Sequence, residues 1–121
     1  MSLRPEWICG LLEPDAYPHA VSGLQLIETH ISWVFLTGEY VYKVKKPVDL
    51  GFVDFSTLER RKFFCEEELR LNQRTSRHLY LDIVPIGIVN GSPKVGLQPA
   101  ADYAVRMRQF PADARLDRRL E

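Results

Sequence analysis

The sequence has little of what marks out several large classes of protein. It carries two cysteines in 121 residues, Cys9 and Cys65, far apart and outside any CxxC pair. That excludes a disulfide-dense scaffold and a cysteine-built zinc site. It predicts two reduced thiols, with Cys65 serving as a small apolar helix residue. Neither sign of charge is in excess, since sixteen basic residues face sixteen acidic ones. A general nucleic-acid or anionic-membrane binder carries a basic surplus, so neither partner is expected. No run approaches the roughly 18 apolar residues of a membrane span. At the N-terminus Arg4, Glu6, Pro14 and Asp15 interrupt any signal-peptide core. A cytoplasmic location is the expectation. Internal repeats and low-complexity stretches are also missing.

What is present is an ordinary globular composition, 45% apolar and 26% charged, over a length that suits one domain spanning residues 1–121. One short helical turn is expected among the prolines of the first twenty residues. Then β-branched and aromatic residues predict strands at about 24–29, 32–37 and 40–45, with Thr37-Gly38-Glu39 as a hairpin turn. After Pro47 a connector leads to Ser56-Thr57-Leu58-Glu59, which reads as a capping box with Ser56 as N-cap. Nothing breaks a helix from Thr57 to about Arg74. Residues 79–89 predict a further strand, with Pro85 marking an edge or a bulge. Asn90-Gly91 signals a turn, from which 92–97 would supply a short return strand, and 103–110 alternate as a last strand before Pro111. The expected class is α+β, an antiparallel sheet of about five strands with one long helix packed on it.

Two features of this frame ask for an explanation. In the stretch YVYKVKKPV, three lysines occupy four positions at the end of a strand. Lysine is a poor strand former and is seldom buried without a partner. Alternation puts Lys43 and Lys45 on one face and Lys46 on the other, and Lys45 and Lys46, next to Pro47, are expected to reach solvent. The helix poses the converse problem. At about 100° per residue, Leu58, Phe64, Cys65, Leu69 and Leu71 form an apolar arc, and Glu68 falls inside it with Arg61 and Asn72. A carboxylate facing a sheet must be protonated, hydrogen-bonded or paired with a cation. Either Glu68 snorkels to water at the rim, or a lysine of the strand meets it.

The order of a hairpin, a strand bearing Val41-Tyr42-Lys43, a helix with an inward glutamate and a last strand entering Pro111 resembles the N-terminal lobe of the protein-kinase-like fold. More narrowly, residues 26–74 and the segment YAVRMRQFP resemble the aminoglycoside-phosphotransferase-like family, in the bacterial branch often fused to a P-loop ATPase or kinase domain. The likeness spans about residues 17–121. It implies a nucleotide-binding lobe of an ATP-dependent phosphotransferase acting on a small-molecule hydroxyl. Lys43 would hold the α- and β-phosphates, Glu68 would orient that lysine, and Met107, Arg108, Gln109 and Phe110 would form the hinge that contacts adenine. The loop Thr29–Ser32 would cover the phosphates, although it lacks the glycines of protein kinases. The catalytic residues and the ligands of Mg2+ belong to the family's C-terminal lobe. Asp113 and Asp117 match none of its motifs, so no catalytic or metal-binding residue is expected here, and the chain alone is expected to be inactive. The alternative is a non-catalytic binding module, paired or dimerised through the face on which the second lobe would dock.

Overall fold

The computed structural model describes residues 6–49, 51, 54–76 and 78–109. Two short 3₁₀ helices, Glu6–Leu12 and Pro14–Ala16, precede strands β1 (Gln25–Glu28), β2 (Ser32–Leu36) and β3 (Tyr40–Lys45). A single long helix, α1 (Leu58–Ser76), follows, and then β4 (Tyr80–Val89), β5 (Ser92–Val95) and β6 (Asp102–Arg108). The strands form one sheet in the order β1-β2-β3-β6-β4-β5, with every neighbouring pair antiparallel. The described residues thus make six strands, where about five were expected. The sixth is the short return strand expected after the Asn90-Gly91 turn: both residues take positive φ, 52° and 82°, which folds Ser92–Val95 back onto β4. At the β2–β3 turn Gly38 has φ 104°, and a Cβ there would lie 2.9 Å from the Ser22 carbonyl oxygen. Only glycine fits.

The two faces of the sheet are covered differently. On one, the 3₁₀ segment buries Ile8, Leu11, Ala16 and Tyr17 against Trp33, Phe35, Tyr42, Val44 and Ala104. Burying each large apolar side chain contributes roughly 1.5–3 kcal/mol, so this face holds the main core. The Tyr17 hydroxyl donates to the Leu11 carbonyl at 2.6 Å and fastens the segment to itself. On the other face, α1 packs mainly on β4 and β6. Among the described residues, no helix covers the β1–β3 half of that face.

The helix starts one residue later than its capping box predicts. Asp54 Oδ1 accepts the Ser56 N–H at 2.9 Å, which ties Ser56 into a local turn. Thr57 becomes the N-cap instead, its Oγ1 accepting the Arg60 N–H at 3.2 Å. The apolar arc is also narrower than expected. Cys65 is fully buried, but Leu71, at the edge of the arc, is 51% exposed. Burial pushes the Cys65 thiol up to about 12, against the pull of Lys45, so it is an inert packing residue as expected.

Candidate functional site

Residues directly opposite one another on neighbouring antiparallel strands share a face. Tyr42 and Val44 point to the main core. Val41, Lys43 and Lys45 therefore point to the helix side, and the register aligns them in rows. One row runs Ile27, Val34, Lys43, Val105, Ile83, and the next runs Leu36, Val41, Met107, Tyr80. Val105 is buried. Ile27, at the uncovered end of its row, is 50% exposed, and Val34, Val41 and Met107 are half-buried. This makes an open apolar surface beside the lysines.

Glu68 projects from α1 onto the border between that open surface and the covered half. It does not snorkel to water. Lys43 Nζ donates to its Oε2 at 2.6 Å, and Lys45 Nζ donates to its Oε1 at 2.8 Å. Side-chain exposure is 27% for Lys43, 16% for Glu68 and 7% for Lys45. The structure thus corrects the expectation that Lys45 reaches solvent. Strand β3 runs through Lys45, which keeps that side chain on the helix face, and its ammonium sits 5.1 Å from the centre of the Phe55 ring. Lys46 turns to the β1–β2 loop instead, with its Nζ donating to Glu28 Oε2 at 2.7 Å.

Burial alone would lift the Glu68 carboxyl, but hydrogen bonds and charge from Lys43 and Lys45 outweigh it and hold it below the ordinary glutamate range. The folded state therefore binds this proton less tightly than the unfolded chain does. The stabilisation is full above the ordinary glutamate value and drains as pH falls through the lowered folded value. Urea melts taken from neutral to acid pH are expected to show that loss, and Glu68→Gln is expected to remove its share of the slope. An unchanged slope in the variant would refute the assignment.

The loop between β1 and β2 is closed by polar contacts in place of glycine. Thr29 Oγ1 accepts the N–H groups of Ile31 and Ser32 at 3.3 and 3.0 Å, and the Lys46 N–H donates to the Ile31 carbonyl at 2.7 Å. Glu28, Thr29, His30 and Lys46 line an open cleft there. At the far end of the lysine face, Met107 and Arg108 close β6. The Arg108 N–H donates to the Leu79 carbonyl at 2.8 Å, and the Gln109 N–H to the Glu39 carbonyl at 2.9 Å. Gln109 Oε1 also accepts the Gly38 N–H at 3.0 Å. Those two amides are already donated within the chain, and Phe110 lies outside the described residues.

One pair that sequence reasoning did not assemble supports the site from behind. Arg61 Nε donates to Asp102 Oδ1 at 3.2 Å, and its Nη1 donates to the Phe55 carbonyl at 3.0 Å. Asp102 is 4% exposed. It ties the first turns of α1 to the start of β6, which sets where Glu68 lands further along the helix. Arg61 falls in the same arc as Glu68, so the helix wheel held half of the signal. Asp102 carried none until β6 was placed.

No family model and no solved structure matches the chain. Uncharacterized proteins of Mycobacterium tuberculosis and Mycobacterium bovis are 36% identical to it over 89 residues. That stretch is 74% of this chain and 16% of theirs, so the chain spans a small part of the relatives it matches.

Proposed function

We propose that this chain is the nucleotide-binding lobe of an ATP-dependent small-molecule phosphotransferase, of the aminoglycoside-phosphotransferase-like family and with a protein-kinase-like N-lobe architecture. The observation that carries the reading is the Lys43–Glu68 pair at 2.6 Å, set at the edge of an open apolar surface. Phosphoryl transfer asks a protein mainly for positioning and charge neutralisation, and kinases place a third-strand lysine against a carboxylate of the following helix for that purpose. Lys43 lies on β3 and Glu68 on α1, the next element. Ile27, Val34, Val41 and Met107 offer the apolar surface that a purine ring would cover, and the Lys43 ammonium suits phosphate oxygens. The described residues bring no group of three metal-ligating side chains together. By the resemblance, Mg2+ would ride on the ATP phosphates and on residues of a second lobe. In this reading a second lobe supplies the catalytic base and the pocket for the hydroxyl acceptor, and this lobe alone turns nothing over.

Titration of the 15N-labelled chain with ATP is expected to shift the amides of Val34, Val41, Lys43 and Met107. Lys43→Met is expected to weaken ATP binding roughly ten- to a hundredfold, the worth of a hydrogen bond to a charged group, while leaving adenosine binding as it was. The reading fails if ATP leaves these amides unmoved, or if the variant binds ATP as well as the parent. A second reading, a non-catalytic binding module, draws on Phe63 and Leu71, which stand 53% and 51% exposed on α1. Self-association lost on Phe63→Ser would favour it.

A further inference from the structure

A carboxylate held by two lysines has one cation more than it needs. Each ammonium takes its own oxygen, Lys43 on Oε2 and Lys45 on Oε1, so neither contact competes with the other. The two lysines differ in access. Lys45 is nearly enclosed, against the Phe55 ring and at the β3 position paired with Ser32. Lys43 sits on the open side, in the row of Val34 and the exposed Ile27. We propose that Lys45 is a positioning residue: its ammonium stays on Glu68 and keeps that carboxylate charged and aimed, while Lys43 leaves it to bind the phosphates of a nucleoside triphosphate. The inference rests on the nucleotide-binding reading above and divides between two lysines the work that a single-lysine clamp must share.

The physical argument is one of orphaned charge. With Lys43 as the only partner, its departure to phosphate would leave a mostly buried carboxylate unpaired, and burying a lone charge is costly. Lys45 removes that obstacle, so Lys43 moves without forcing Glu68 to take up a proton. Among the described residues, the groups acting on Glu68 are few. From β3 they are Lys43 and Lys45, and on α1 the neutral Cys65 thiol adjoins it. From β6, Asp102 acts on that same thiol and is itself paired with Arg61.

The test follows the lysine 13Cε and Glu68 carboxyl signals of the full chain during titration with MgATP. ATP is expected to move the Lys43 signal, to leave that of Lys45 in place, and to leave the Glu68 carboxyl ionised. In Lys45→Met, Glu68 is expected to protonate at higher pH than in the parent. ATP affinity of that variant should then rise with acidification by up to about tenfold per pH unit, because ATP binding now carries a proton onto Glu68, a dependence the parent lacks over the same range. A movement of Lys45 as large as that of Lys43, or an acid dependence equal in variant and parent, overturns the inference while leaving nucleotide binding intact. If neither lysine responds, the nucleotide reading falls and this inference with it. Should Lys45→Met not fold, the titration of the parent chain still decides between the two lysines.

Discussion

Glu68→Gln is expected to lower the unfolding free energy by about 3 kcal/mol, the low end for removing one partner of a buried ion pair. The amide matches the carboxylate in shape and offers one oxygen acceptor, but it carries no charge. It leaves two ammonium groups facing each other, one of them on a residue that is 5% exposed. The partial exposure of Lys43 lets water screen part of the cost, which places the effect at the low end. For a domain of ordinary stability this is a large fraction of the total. Equilibrium urea melts at neutral pH measure it as a lower midpoint with an unchanged slope. The double substitution Glu68→Leu with Lys45→Met should recover part of the loss, because an apolar pair of similar volume leaves one fewer charge without a partner. Melts of Glu68→Gln that overlay those of the parent would refute the account.

Asp102→Ala is expected to cost a comparable amount, about 3 kcal/mol, through the groups it orphans. Asp102 Oδ1 accepts both the Arg61 Nε–H and the Tyr103 N–H, at 3.2 and 2.8 Å. Its loss strands a guanidinium whose side chain is 12% exposed, together with a backbone amide in the sheet. A double-mutant cycle with Arg61→Leu separates the pair from the rest, and strong coupling is expected. The pH dependence runs opposite to that of Glu68. Burial raises the Asp102 carboxyl above its ordinary value of 3.8, with Arg61 and the Tyr103 amide pulling the other way. The folded state therefore binds this proton more tightly than the unfolded chain. Its contribution to stability is full below the ordinary aspartate value and is lost as pH rises through the raised folded value. Asp102→Asn, which does not ionise, should abolish that part of the profile. Independence of the two sites in the cycle would rule out the coupling.

Much of the frame was legible along the chain because its causes are local. Strand β3 ends where residues 40–45 predict, and Thr37-Gly38-Glu39 turns where a glycine with positive φ is needed. The long helix follows from an unbroken run of helix formers. The place of Glu68 inside the apolar arc was legible too, since it depends only on helical periodicity, but whether it turned inward or to the rim was not. The start of α1 was missed by one residue because Asp54 and Ser56 compete in a local turn that spacing does not reveal. Leu71 was assigned to the buried arc because a wheel shows which residues share a side, not which of them are covered.

The sequence by itself determined that Glu68 would fall within the apolar arc of the helix, with the rim still open to it, and that two lysines would share one face of β3. Both facts depend on repeat geometry within a single element. Only the tertiary structure decided that both lysines reach Glu68, that Lys45 is enclosed while Lys43 stays accessible, and that Arg61 meets Asp102. Those outcomes depend on which strands lie beneath α1 and where its cover ends. They arise from contacts between residues more than twenty positions apart, where no local pattern holds the information.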